Sequence, residues 1–158
     1  MSRPELLIQL IDEVQRTKAR LGTVAVDFND PGGPTGLTMT ILTAVTRALH
    51  PPTVPQIGRS LGYPRQTVQR HADQLVELGL IEAVENPDHK RAPRLMATEA
   101  GQALHARANA RSLAWARTFT ADIDPEKLAT TVATLQTIRA KIERQARETP
   151  DETTDETR

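Results

Sequence analysis

Arg65, Gln66, Thr67, Gln69 and Arg70 form a group of side chains suited to reading a nucleic acid. Arginine and glutamine can pair two-pronged with guanine and adenine edges, and a threonine reaches a phosphate or a thymine methyl. The acids Asp73 and Glu77 come only later in the same stretch, so its basic end faces one way. Mixed polar residues of this kind also describe a solvated helix face, but a second basic group tips the balance. Lys90, Arg91 and Arg94 stand within NPDHKRAPR, a segment too short to bury anything of its own. Cations on such a hairpin suit phosphate or the minor groove.

The elements around these residues can be read from caps and spacing. Thr53 is an N-cap, with Val54, Ile57 and Leu61 at spacings of three and four and Gly62 as the stop, which predicts one short helix. Pro64 suits a first helical position. Val68, Ala72, Leu75 and Val76 then give an inward stripe ending at Leu78-Gly79, so a second helix carries the Arg and Gln residues outward near its N-terminus. Leu80, Ile81, Ala83 and Val84 predict a strand, Asn86-Pro87-Asp88 a turn, and Leu95-Met96-Ala97 a return strand. The whole is a helix-turn-helix followed by a two-stranded wing.

This order, with the Gly-Tyr turn, the helix opening PRQTVQR, the ending LVELGLI and the wing NPDHKRAPRLMATEAG, resembles the MarR family of bacterial transcriptional regulators. The resemblance covers residues from about 35 to 105 by motif, and the flanking helices by order and length. It implies a homodimeric winged helix with each wing beside the DNA minor groove. Arg65, Gln66, Thr67, Gln69 and Arg70 match recognition-helix positions, and Lys90 and Arg91 match the basic wing tip. His89 departs from the pattern, standing where many members have an acidic residue.

A chain of 158 residues suits one domain or one dimer protomer, and with 3% aromatics its core is aliphatic. Absence of cysteine removes disulfides, thiolate switches and thiolate metal sites. A formal net charge of zero excludes binding through bulk positive charge. The local field decides instead: Arg65, Arg70 and the wing bases are expected to share a face, with Glu77, Glu82 and Glu85 at its far end. No run reaches the length of a membrane span and the N-terminus is unlike a signal peptide, so a cytoplasmic location is expected.

Before the motif, Ser2 and Pro4 open a helix with Leu6, Leu7, Leu10, Ile11, Val14 and Leu21 at helical spacing, ending between Leu21 and Phe28. Asn29 to Pro34 reads as a mobile connection, and Thr38 as the cap of a helix running to Leu49 with Ala48 and Leu49 inward. After the wing, a helix from about Thr98 mixes small alanines with Leu104, Leu113, Trp115 and Phe119. Asp124-Pro125-Glu126 starts a last helix whose seam is Leu128, Val132, Leu135, Ile138 and Ile142. The expected class is mainly α with a small β-hairpin wing: a winged helix-turn-helix domain plus a helical dimerisation region. The expected divisions are a dimerisation helix and linker over 1–36, the DNA-binding domain over 37–99, C-terminal dimerisation helices over 100–147, and a disordered tail over 148–158.

The expected function is a dimeric, sequence-specific double-stranded DNA-binding regulator, a repressor recognising a palindromic site. The alternative is a winged-helix module for protein–protein contact. Catalysis is not expected. His50, His71, His89 and His105 make no metal-ligand spacing, no nucleophile motif occurs, and neither a metal nor a cofactor is called for. Members of the resembled family commonly bind small aromatic or anionic molecules between the DNA-binding lobe and the dimerisation helices. Trp115 and Phe119, one turn apart, are therefore a candidate ligand pocket as well as ordinary packing. Such an effector is expected to act by changing the separation of the two recognition helices.

Overall fold

The computed structural model describes residues 1–24, 28–88 and 92–148. His89, Lys90 and Arg91 of the wing tip, and the tail after Glu148, lie outside the described residues. The chain forms two compact units, Met1–Ala114 and Trp115–Arg158. Its elements run α1 (Arg3–Val24), α2 (Gly36–Arg47), α3 (Val54–Leu61), α4 (Arg65–Glu77), β1 (Ile81–Val84), β2 (Arg94–Ala97), α5 (Glu99–Phe119) and α6 (Pro125–Glu148).

The helices start where local chemistry satisfies their free N–H groups. Thr53 Oγ1 accepts from Gln56 N at 3.4 Å while Gln56 Oε1 accepts from Thr53 N at 2.7 Å, a reciprocal capping box that fixes the start of α3. Gly62 ends α3 at φ 73°, in the left-handed region that glycine enters without strain. At α5, Thr98 Oγ1 accepts from Gly101 N and donates to Gly79 O at 2.7 Å, tying the helix start to the end of α4. Asp124 caps α6, accepting from Glu126 N at 2.9 Å. Ser2 and Glu5 make the equivalent exchange at α1.

Ile41 and Leu42 of α2, Ile57 of α3, Val68 and Leu75 of α4, and Ile81 and Leu95 of the hairpin close one aliphatic core in the first unit. Each such side chain stabilises by roughly 1.5–3 kcal/mol on burial. The hairpin is antiparallel with Ile81 opposite Ala97 and Val84 opposite Arg94. Leu80 and Gly101 hold it against α5: a Cβ on Gly101 would lie 2.0 Å from the Leu80 carbonyl oxygen. No described helix is long and apolar enough to cross a membrane.

Several expectations are corrected. Helix α2 begins two residues before Thr38, which is buried inside it and caps nothing. It also stops at Arg47: Ala48 is already extended at φ −69° and ψ 134°, and Leu49 ends up 96% exposed. Pro64 is the N-cap of α4, not its first turn, and Val76 is exposed because α4 buries the i, i+4, i+7 line of Val68, Ala72 and Leu75. The Asn29–Pro34 stretch, expected to be a mobile connection, is tied down. Asp30 takes Arg107 at 2.8 Å and Arg111 at 2.7 Å from α5. The Arg107 hydrogen bond leads in holding the Asp30 carboxyl below its ordinary range, against partial desolvation, with Arg111 adding to it.

Candidate nucleic-acid interface

The turn between α3 and α4 is tight for a stated reason. Tyr63 N donates to Gly58 O at 3.0 Å, and a Cβ on buried Gly58 would come within 2.9 Å of the Tyr63 carbonyl oxygen. In the sequence Gly58 is no more than a helix residue; the close approach of its backbone to Tyr63 is visible only in three dimensions. This turn sets the angle at which α4 leaves.

Arg65, Gln66, Gln69 and Arg70 are exposed and line one open groove together with His71, Asp73, Gln74 and Glu77. Thr67 is half-buried at its flank. The recognition residues picked from the sequence are therefore gathered, with both arginines in the N-terminal half of α4, where the helix dipole also favours an anion. Gln69 Nε2 donates to Asp73 Oδ1 at 2.8 Å, which occupies the Asp73 carboxylate within the helix and leaves the arginines clear of it. His71 is not an outward reader. Its Nδ1 lies 2.8 Å from the hydroxyl of Thr38 on α2, and the same hydroxyl donates to Gln74 Oε1 at 3.1 Å.

The wing is braced at its base. Asn86, buried at 5% exposure, donates through Nδ2 to Ala92 O at 2.7 Å and accepts from Asp88 N at 3.2 Å, closing the loop that carries the tip. Arg94 begins β2 and pairs with Asp88 at 2.6 Å. Of the three bases assigned to the wing tip, Arg94 thus stands at the base, paired with Asp88. The sequence signal was present in Asn86-Pro87-Asp88, but a turn signal does not say which side chain turns inward.

A second concavity, about 580 Å3, lies in the first unit among Lys18 and Gly22 of α1, Leu37, Met39, Thr43 and Arg47 of α2, Tyr63, and His105 and Asn109 of α5. Among the described residues it is lined by three basic side chains, Lys18, Arg47 and His105, and by no acid. Arg47 donates to Asn109 Oδ1 at 3.0 Å. Burial first, and the Arg47 charge second, lower the pKa of His105 below its ordinary value. Trp115 and Phe119, the candidate ligand pocket, do not line this concavity; they stack on one another with ring centres 4.6 Å apart in the second unit. Among the described residues no three histidine and acidic side chains come together as a metal site.

Residues 33–92 match the MarR family's sequence model. An uncharacterized protein of Mycobacterium bovis is 40% identical over 79 residues, half of this chain and 55% of that protein, so the chain spans about half the length of the curated relatives it matches. Among solved structures, a mutant MarR from E. coli complexed with operator DNA has TM-score 0.69 at 18% identity, covering 87% of this chain and 99% of that one. CouR from Rhodococcus jostii, bound to p-coumaroyl-CoA, has TM-score 0.66 at 22% identity over 82% of this chain and 94% of that one.

Proposed function

We propose that this chain, whose residues 33–92 match the MarR family's model and whose fold is similar to that of MarR transcription regulators, is a sequence-specific DNA-binding repressor that acts as a homodimer on a palindromic site. The family's members are regulators, not enzymes. One observation carries the reading: Arg65, Gln66, Gln69 and Arg70 share the open face of α4, while the side chains behind them are closed into the core. Each of the four can reach a base edge in a major groove, with Thr67 at the flank for phosphate or a thymine methyl. Lys90 and Arg91 fall in the sequence between the two strands, just after Asn86 and Asp88, which brace the base of the wing, and this suits a wing tip beside the minor groove.

The dimer reading rests on apolar faces left open in the single chain. Leu6, Leu7 and Ile11 of α1 and Leu128, Val132 and Ile142 of α6 are all exposed, and a stripe of that length is matched by its own copy under two-fold symmetry. Beside Trp115 and Phe119, the basic-lined concavity is a further place for an effector, since its size suits a small molecule and its charge a carboxylate. Gly36, Leu37 and Tyr63 in its wall adjoin α2 and the turn before α4, so a ligand there acts next to the recognition helix.

Selection of bound duplexes from a random pool tests the main claim. The expected result is a palindrome with half-sites about one helical turn apart. Recovery of no enriched sequence would overturn it and leave the protein-contact reading.

A further inference from the structure

The inward face of α4 is held by two kinds of contact that do different work. Val68, Ala72 and Leu75 bury against the core, but apolar packing is non-directional and fixes rotation about the helix axis only loosely. Thr38 of α2 supplies direction. It is 4% exposed, and its hydroxyl lies between His71 Nδ1 at 2.8 Å and Gln74 Oε1 at 3.1 Å. A threonine hydroxyl has one proton and can accept on its lone pairs. Gln74 Oε1 only accepts, so the Thr38 proton goes there, and the oxygen then accepts from His71 Nδ1–H. Two hydrogen bonds from one buried oxygen to residues three apart on α4 set both the rotation and the axial position of that helix.

We propose that Thr38 and His71 are positioning residues for sequence reading: the hydrogen bonds from α2 through Thr38 to His71 and Gln74 fix the rotation at which α4 presents Arg65, Gln66, Gln69 and Arg70. His71 and Gln74 border the groove those four line, so a small rotation about this pin moves the reading face directly. Phosphate contacts tolerate such a shift because long cations adjust; paired base-edge contacts do not. The pin acts on selectivity more than on bulk affinity, and this rests on the DNA-binding reading above.

Thr38→Val removes the hydroxyl at nearly constant shape, and Thr38→Ser restores it. Thermal unfolding establishes that both variants fold. The ratio of affinity for the selected site to affinity for a random duplex is expected to fall about tenfold in Thr38→Val, the scale of one misaligned base-edge pair, and to recover in Thr38→Ser. An unchanged ratio in Thr38→Val overturns the proposal. Long-range 15N–1H spectra of the DNA-free protein give a second reading. A proton on His71 Nδ1 supports the pin, and a bare Nδ1 overturns it. Should the wild type select no sequence, that result sinks the proposed function, and the His71 tautomer alone then judges the pin.

Discussion

The apolar stripe of α4 and the apolar stripes of α1 and α6 are built on the same spacings, yet they end in opposite states. On α4 the line Val68, Ala72, Leu75 is closed by α2, α3 and the hairpin, within one chain. On α1 and α6 the corresponding residues stay open, Leu6 at 49% and Ile142 at 59% exposure. Spacing therefore specifies a helix and which side is apolar, but not what covers that side. The closed stripe belongs to a unit stitched by caps and close glycine approaches. The open ones belong to long helices whose partner, on the proposed reading, is a second copy.

The closed side breaks hardest at Gly101. Its Cβ would meet the Leu80 carbonyl, which is backbone and cannot swing away, so Gly101→Ala must part α5 from the hairpin. A loss of about 3 kcal/mol or more is expected in urea unfolding, at the upper end of overpacking effects. Gly22→Ala on α1 is the counterpart. Nothing lies within 4 Å of its added methyl, and helix propensity predicts a gain of about 0.5–1 kcal/mol. Similar losses at both positions would erase the contrast.

On the open side, Val132→Asp puts a charge in the α6 stripe. A dimer held by that stripe is expected to weaken about thirtyfold or more, read by light scattering as a shift to monomer mass with helix content retained. A wild-type protein already monomeric at micromolar concentration would show that the open stripes have another use.

Within the interface the contrast continues between reading and holding. Arg65→Ala and Gln69→Ala are expected to relax sequence preference by ~1–3 kcal/mol at their base pairs. Lys90→Ala or Arg91→Ala weakens binding to every sequence and lowers the salt slope by about 0.9 each. Identical behaviour of the two classes would place both sets on phosphate.

Much of this was legible before the structure, for physical reasons that can be named. Thr53, Gly62 and Asp124 act through their nearest neighbours in sequence, so caps and stops announce themselves. The outward set on α4 followed from helical periodicity alone. What stayed hidden depends on residues far apart in the chain. Thr38 reads as a cap because threonine is a good one, and only the packing of α2 on α4 turns it toward His71. Asn29–Pro34 has the composition of a loose turn, and only Arg107 and Arg111 make it a fixed point. Trp115 and Phe119 entered the ligand reading through the family resemblance, while the basic-lined concavity, which collects Lys18, Arg47 and His105 from three separate helices, has no signature in the sequence.

The smallest expected effect concerns His105, half-buried beside Arg47 at that concavity. Burial and then the Arg47 charge disfavour the imidazolium in the folded chain, so its pKa lies below the 6.5 it has when unfolded. Between those two values the unfolded state holds more protons, and stability rises with pH. The contribution is complete above 6.5 and is lost as pH falls through the window beneath it. Asp30 behaves alike in sign but in a separate range: its stabilisation is present above 3.8 and disappears only in stronger acid. Urea midpoints from about pH 7.5 to about pH 5.5 therefore isolate the histidine. The wild type is expected to lose stability more steeply across that span than His105→Gln, which cannot take up the proton. An anion bound beside Arg47 reverses the sign at this one group, because it favours the charged ring. An aromatic acid that binds there is expected to flatten the wild-type slope and leave that of His105→Gln unchanged. Parallel slopes for the two proteins without ligand would show that His105 is solvated and that the concavity does not desolvate what enters it.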